Sequence, residues 1–174
     1  MRAGHIGIVA SALLLLSLRP ADQPQSALIF KSYGFSISAL DTKPAETMQQ
    51  VLFMTMPASD GFAPNVNVQI QPHAGTLDEY VELSKQQFKD AEFTLDSERK
   101  IGKSAVVFSY FGKLGAKKFR WHAKAELHDG KVYLATATAT EAQWEKVMAP
   151  LVECVESLRT KASEEGSGPG DAKP

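Results

Sequence analysis

Cysteine is almost missing from this 174-residue chain: Cys154 is the only one, which excludes a disulfide framework and a thiolate zinc cage. Charge of one sign is missing too. With 19 basic against 20 acidic side chains the net charge is −1, which argues against a protein that coats nucleic acid or anionic membrane. No apolar run reaches the ~20 residues that span a bilayer core. No Gly-x-Ser-x-Gly elbow, phosphate loop or paired-carboxylate pattern occurs either, so the chain carries no recognisable enzyme signature. What is present is ordinary for a folded protein: 44% hydrophobic and 22% charged residues, in a length suited to one domain.

The first residues, Met1 to His5, carry a charge and lead into an apolar run from Ile6 to Leu18. A charged start and a short greasy middle match an export signal, expected to span residues 1–26 and to be removed. No lipidation cysteine follows it. Loss of Arg2, Arg19 and Asp22 would shift the net charge from −1 to −2. The expected localisation is therefore periplasmic or extracellular. Residues 161–174 contain only Gly, Ser, Pro, Ala and charged residues, and are expected to be a disordered tail. The folded domain is then 27–160.

Within it, Phe119, Trp121, Ala123, Ala125 and Leu127 alternate with Arg120, His122, Lys124, Glu126 and His128. A period of two over ten residues predicts a half-buried strand, with the first row in the core and the second facing water. Val66, Val68 and Ile70 alternate with Asn65, Asn67 and Gln69 in the same way. Further strands are expected at 34–40, 51–56, 93–100, 104–111 and 131–138. Turns at Gly112 to Gly115 and Asp129-Gly130 would join the last two with the long strand between them into an antiparallel meander. Thr76 with Glu79, and Thr140 with Gln143, predict capped helices over 77–90 and 141–159, the second interrupted by Pro150. The expected fold class is α+β, a mainly antiparallel sheet packed by helices.

The segments Phe62-Ala63-Pro64-Asn65-Val66-Asn67-Val68, Thr76-Leu77-Asp78-Glu79-Tyr80 and Gly130-Lys131-Val132-Tyr133-Leu134, the last running into alternating Thr and Ala, together with Glu156-Ser157-Leu158-Arg159, resemble the PsbP/DcrB-like family. The resemblance covers most of residues 27–159. It implies an α/β/α sandwich around an antiparallel sheet, in exported proteins that act as binding or assembly factors without catalysis. The family has no catalytic motif to carry over, so no catalytic residue, cofactor or metal is assigned.

The expected role is accordingly a non-catalytic binding protein of the cell envelope, whose partner is an envelope protein or a lipid surface, not nucleic acid. The candidate binding surface is the β-hairpin carrying Phe111, Lys113, Leu114, Lys117, Lys118 and Arg120, an apolar and basic mixture at a loop tip. A second candidate is one polar sheet face made of Asn65, Asn67, Gln69, Arg120, His122 and Lys124, which must be bonded internally if a helix covers it. The alternative function is a small-molecule carrier or hydrolase with a site between sheet and helix. His122 and His128, six residues apart on a strand rising ~3.3 Å per residue, lie too far apart to share one metal ion. Cys154 falls on the apolar stripe of the second helix, which predicts a buried, inert thiol.

Overall fold

The computed structural model describes residues 27–31, 34–38 and 47–160. The export signal and the C-terminal tail expected from composition lie outside the described residues. The chain divides into two compact units, 1–43 and 44–174. In the first, β1 (Ala27–Phe30) and β2 (Phe35–Ser38) form an antiparallel hairpin, with Phe30 stacked on Phe35. The second holds a six-stranded sheet and two helices. Its strands are β3 (Gln49–Thr55), β4 (Asn65–Pro72), β5 (Thr94–Ile101), β6 (Ala105–Leu114), β7 (Lys117–His128) and β8 (Lys131–Thr140). Its helices are α1 (Leu77–Asp90), between β4 and β5, and α2 (Glu141–Glu156), after β8.

The sheet order is β3-β4-β8-β7-β6-β5, with every neighbouring pair antiparallel. After β4 the chain crosses to the far edge through α1, then returns strand by strand as a meander until β8 pairs with β4. Both edge strands carry a register shift, at Gln50/Leu52 and at Leu95/Ser97. Such irregularities discourage further strands from pairing on an edge.

Residues opposite one another in the ladders share a face, and this parity puts the helices on opposite sides. The α1 side collects Val106 and Phe108 of β6, Ala125 of β7 and Val132 of β8 beneath Leu77, Tyr80 and Val81. The α2 side collects Val66 of β4 and Ala135, Ala137 and Ala139 of β8 beneath Trp144, Leu151 and Val155. Alternating alanine in β8 sets this second packing, because side chains of one carbon let the bulky residues of α2 settle close to the sheet. The result is an α/β/α sandwich of the α+β class, as expected.

Both helices start as their threonines predict. Glu79 N–H donates to Thr76 Oγ1 and Thr76 N–H donates to Glu79 Oε2, at 3.2 and 2.6 Å. The amide and hydroxyl of Thr140 both donate to Gln143 Oε1, at 3.2 and 2.8 Å. Helix α2 runs through Pro150 as one element and ends at Glu156, three residues before the expected end. The hairpin turn differs more. Strand β6 continues to Leu114, which pairs with Lys117, so the loop is only Gly115-Ala116, with Gly115 at φ +60°. Gly112 is a strand residue instead, and it is glycine because a Cβ there would run into the Phe93 ring.

Candidate functional site

The six residues expected to form the binding surface separate into four settings. Phe111, Gly112 and Lys113 of β6, with Lys118 and Phe119 of β7, line a cavity of about 260 Å³ whose far wall includes Glu92 and Thr94. Leu114 stands at the tip, 53% exposed. Lys117 folds sideways: its Nζ donates to the carbonyls of Asp60 and Gly61 at 2.9 and 3.3 Å, fastening the β3–β4 connection to the hairpin. Lys118 pairs with Glu141 at the start of α2, at 3.3 Å. Among these lysines, Lys113 has no ion-pair partner among the described residues. Arg120 leaves the tip altogether. Its guanidinium lies 5.5 Å from the centre of the Phe111 ring and lines a different cavity.

That second cavity, about 200 Å³, lies between the sheet and α2. Ser109, Arg120 and His122 come from the sheet, Trp144, Met148 and Val152 from the helix, and Asp96 from β5. A chain of polar contacts starts from two of its lining residues, Ser109 and His122. Ser109 Oγ lies 3.0 Å from His122 Nδ1, His122 Nε2 lies 3.1 Å from Glu156 Oε1, and Arg99 Nη2 donates to both Glu156 oxygens at 3.1 and 3.2 Å. Burial lowers the pKa of His122, against the opposing pull of Glu156, so the ring is neutral at pH 7. A neutral ring donates from one nitrogen only. Since the Glu156 carboxylate accepts, Nε2 carries the proton and Nδ1 accepts from the Ser109 hydroxyl.

Serine, histidine and glutamate in that order match the connectivity of a hydrolytic triad, with the two ring nitrogens in exchanged roles. Other parts of a triad site are missing. Ser109 sits mid-strand, opposite Ser97 on one side and His122 on the other. Its backbone neighbours are committed to two ladders, which leaves no N–H pair aimed at an oxyanion. The Glu156 carboxylate is shared with Arg99. The arrangement orders a buried histidine; its geometry gives no support to acyl transfer.

Farther along the same face, Lys124 and Glu126 are 2.7 Å apart, with side chains only 4% and 5% exposed. Lys124 Nζ also donates to the Leu158 carbonyl at 2.7 Å, and Glu126 Oε2 accepts from the Thr160 amide at 2.8 Å. Burial by itself would raise the Glu126 pKa, but the hydrogen bonds of Lys124 and Thr160 outweigh it and hold the carboxyl below its ordinary value. These contacts fasten the chain beyond α2 to the sheet.

Two expectations are corrected by this geometry. The row Arg120, His122, Lys124, Glu126 does not face water: His122, Lys124 and Glu126 are buried beneath α2. Nor do Asn65, Asn67 and Gln69 share its face. Val66 and His122 both lie opposite Ala137, so the asparagines and Gln69 point to the other side of the sheet. The condition attached to a covered face is met, since His122, Lys124 and Glu126 all have internal partners. Ser109, Arg99 and Glu156 were not singled out by sequence reasoning, because each lies on a different element from His122. A correctly placed two-residue loop would have found the first: pairing Leu114 with Lys117 fixes Ser109 opposite His122.

Cys154 is half-buried, and burial together with the charge of Glu153 raises its pKa, so it stays a thiol. Among the described residues no cluster of three or more His, Cys, Asp or Glu is placed to hold a metal ion, and no helix is long and apolar enough to cross a membrane.

No family model matches the chain, and no curated protein matches it in sequence. Solved structures do. A Pseudomonas aeruginosa protein of unknown function, PA94, is similar with a TM-score of 0.50 and 17% identity, over 78% of this chain and 96% of that one. The solution structure of the cyanobacterial PsbP protein (CyanoP) of Synechocystis is also similar, with a TM-score of 0.40 and 13% identity, over 70% of this chain and 96% of that one. The chain thus has the fold of PA94, at an identity that speaks for the fold alone.

Proposed function

We propose that this is an exported, non-catalytic binding or assembly protein of the cell envelope, and that it meets its partner through the end of the β6–β7 hairpin. The observation that carries the reading is the cavity of about 260 Å³ lined by Phe111 and Phe119, by Lys113 and Lys118 and by Glu92 and Glu141, in which Lys113 has no ion-pair partner among the described residues and beside which Leu114 is exposed. Phe111 and Phe119 suit an apolar anchor, and Lys113 suits an acidic group beside it, on an envelope protein or at an anionic lipid surface. The buried charges of the α2 side take no part, because they are spent on one another. The expected export signal and the PsbP/DcrB-like resemblance support the compartment and the class.

The double variant Lys113→Glu, Leu114→Ser tests it. Among the described residues Lys113 has no ion pair, and Leu114 is exposed, so melting should stay within about 0.5 kcal/mol of wild type. Capture of envelope proteins and flotation with phosphatidylglycerol vesicles should separate the two partner classes, one of the two being lost in the variant. If the variant retains every interaction of the wild type, the hairpin is not the docking surface.

A further inference from the structure

The second cavity supports an inference independent of the hairpin: we infer that the pocket between α2 and strands β6 and β7 binds the carboxylate of a small apolar acid, with the Arg120 guanidinium as its anion fork.

The size of the pocket limits the ligand first. At about 200 Å³ it exceeds the ~150 Å³ that holds one benzene and falls short of the ~300 Å³ at which drug-sized sites begin. One ring or one branched chain with a head group fits. The walls then divide the ligand in two. Trp144, Met148 and Val152 of α2 offer an apolar wall, and Ser109, Arg120 and His122 offer a polar floor.

The sign of the head group follows from Arg120. Among the described residues it is the half-buried cation of this face with no ion pair and no side-chain hydrogen bond, and its guanidinium lies 5.5 Å from the centre of the Phe111 ring. Its neighbours on the same side are matched: Arg99 holds Glu156, and Lys124 holds Glu126 and the Leu158 carbonyl. A guanidinium partly removed from water, with its planar set of donors unspent, is complementary to a carboxylate in two parallel bonds. Asp96 also lines the cavity, but it is exposed and pairs with nothing within 4 Å, so water screens it. Ser109, which donates to His122, can turn its hydroxyl to the second carboxylate oxygen. A carboxylate of this kind reaches the site either as a free acid or as the C-terminal residue of a peptide.

The test is a titration of the full chain followed by NMR, reading the indole of Trp144 and the ring of His122. 3-Phenylpropanoate, its carboxamide 3-phenylpropanamide, and a tripeptide ending in phenylalanine are compared. The acid should shift both reporters and bind at least about tenfold more tightly than the amide, the value of one charge-assisted hydrogen-bond pair. Arg120→Met should erase that preference, and Met148→Trp, which fills the cavity from the helix side, should remove binding with Arg120 intact. Tighter binding of the free acid than of the tripeptide would assign the small-molecule source, and the reverse order the peptide source. Equal affinity for acid and amide, or an acid affinity unchanged in both variants, would overturn the inference.

Discussion

Beneath α1 the sheet presents Phe108, Tyr110 and Trp121; beneath α2, one residue along the same strands, it presents Ser109, His122, Lys124 and Glu126. The α1 side is held by ring contacts that need no partner chemistry. Trp121 lies 5.1 Å from Tyr110, 4.6 Å from Phe93 and 5.8 Å from Phe119 between centroids, and Phe88 continues the stack on Tyr110 at 4.3 Å. The α2 side is held at β8 by alanine under tryptophan, and at β7 by charges that tolerate burial because each is bonded. An apolar interior fails gradually as contacts are removed. A paired interior fails when one partner goes, since the other is then left charged and dry. The two sides therefore differ in what breaks them, and that difference can be measured.

The largest effects are expected to be similar on the two sides and to differ in whether a second substitution restores the loss. Lys124→Met takes the ammonium from the buried Glu126, which keeps the Thr160 amide, and should cost about 3–5 kcal/mol in urea unfolding. The double variant Lys124→Met, Glu126→Leu should recover most of that loss, whereas no second substitution of similar kind should rescue the α1 side. Trp121→Ala should likewise cost about 3–5 kcal/mol, through a cavity in the ring stack; its near-ultraviolet circular dichroism should collapse with it. A stable Trp121→Ala protein would mean the ring stack is not the core of that side. Gly112→Ala, forced against Phe93, should cost about 1–3 kcal/mol by overpacking.

Acid should reach the α2 side first, without any substitution, through His122. His122 and Glu126, like Glu79 in the α1 cap, have folded pKa values below their unfolded ones. For His122 the unfolded chain takes up a proton first, so stability falls as pH drops below the unfolded histidine value of ~6.5 and the loss is complete below the folded value. For Glu126 the stabilisation is present above the unfolded value of ~4.3 and disappears as pH falls through the folded one. Unfolding free energy plotted against pH should thus show two descending steps. His122→Asn should remove the upper step and leave the lower. The smallest effect is expected at the hairpin, where Lys113→Glu should change stability by less than about 0.5 kcal/mol.

Local signals in the sequence were the most legible. The first helix, its cap and the long strand β7 lie where threonine, glutamate and a period of two put them, because each depends on residues within one or two turns. The burial of His122, Lys124 and Glu126 was not legible, since alternation separates two faces of a strand but says nothing of what lies over the polar one. That depends on α2 returning across the sheet and bringing Glu156 and the carbonyl of Leu158 from more than thirty residues away. The candidate site suffered from a single turn. A four-residue loop at Gly112 to Gly115 would set Ala105 opposite His122, whereas the two-residue loop at Gly115-Ala116 sets Ser109 there. A strand at β1 was missed because four residues of mixed size carry too little pattern to register.

The functional claim is that the protein meets its partner at the hairpin end, away from its buried charges. Site-specific photocrosslinking in the native compartment tests this most directly, with the probe at position 114 and a control probe at Leu83, a comparably exposed residue of α1 (53% and 49%). The account predicts a discrete adduct, protein or lipid, from position 114 and none from position 83. No adduct at 114, or the same adduct from both positions, would contradict it.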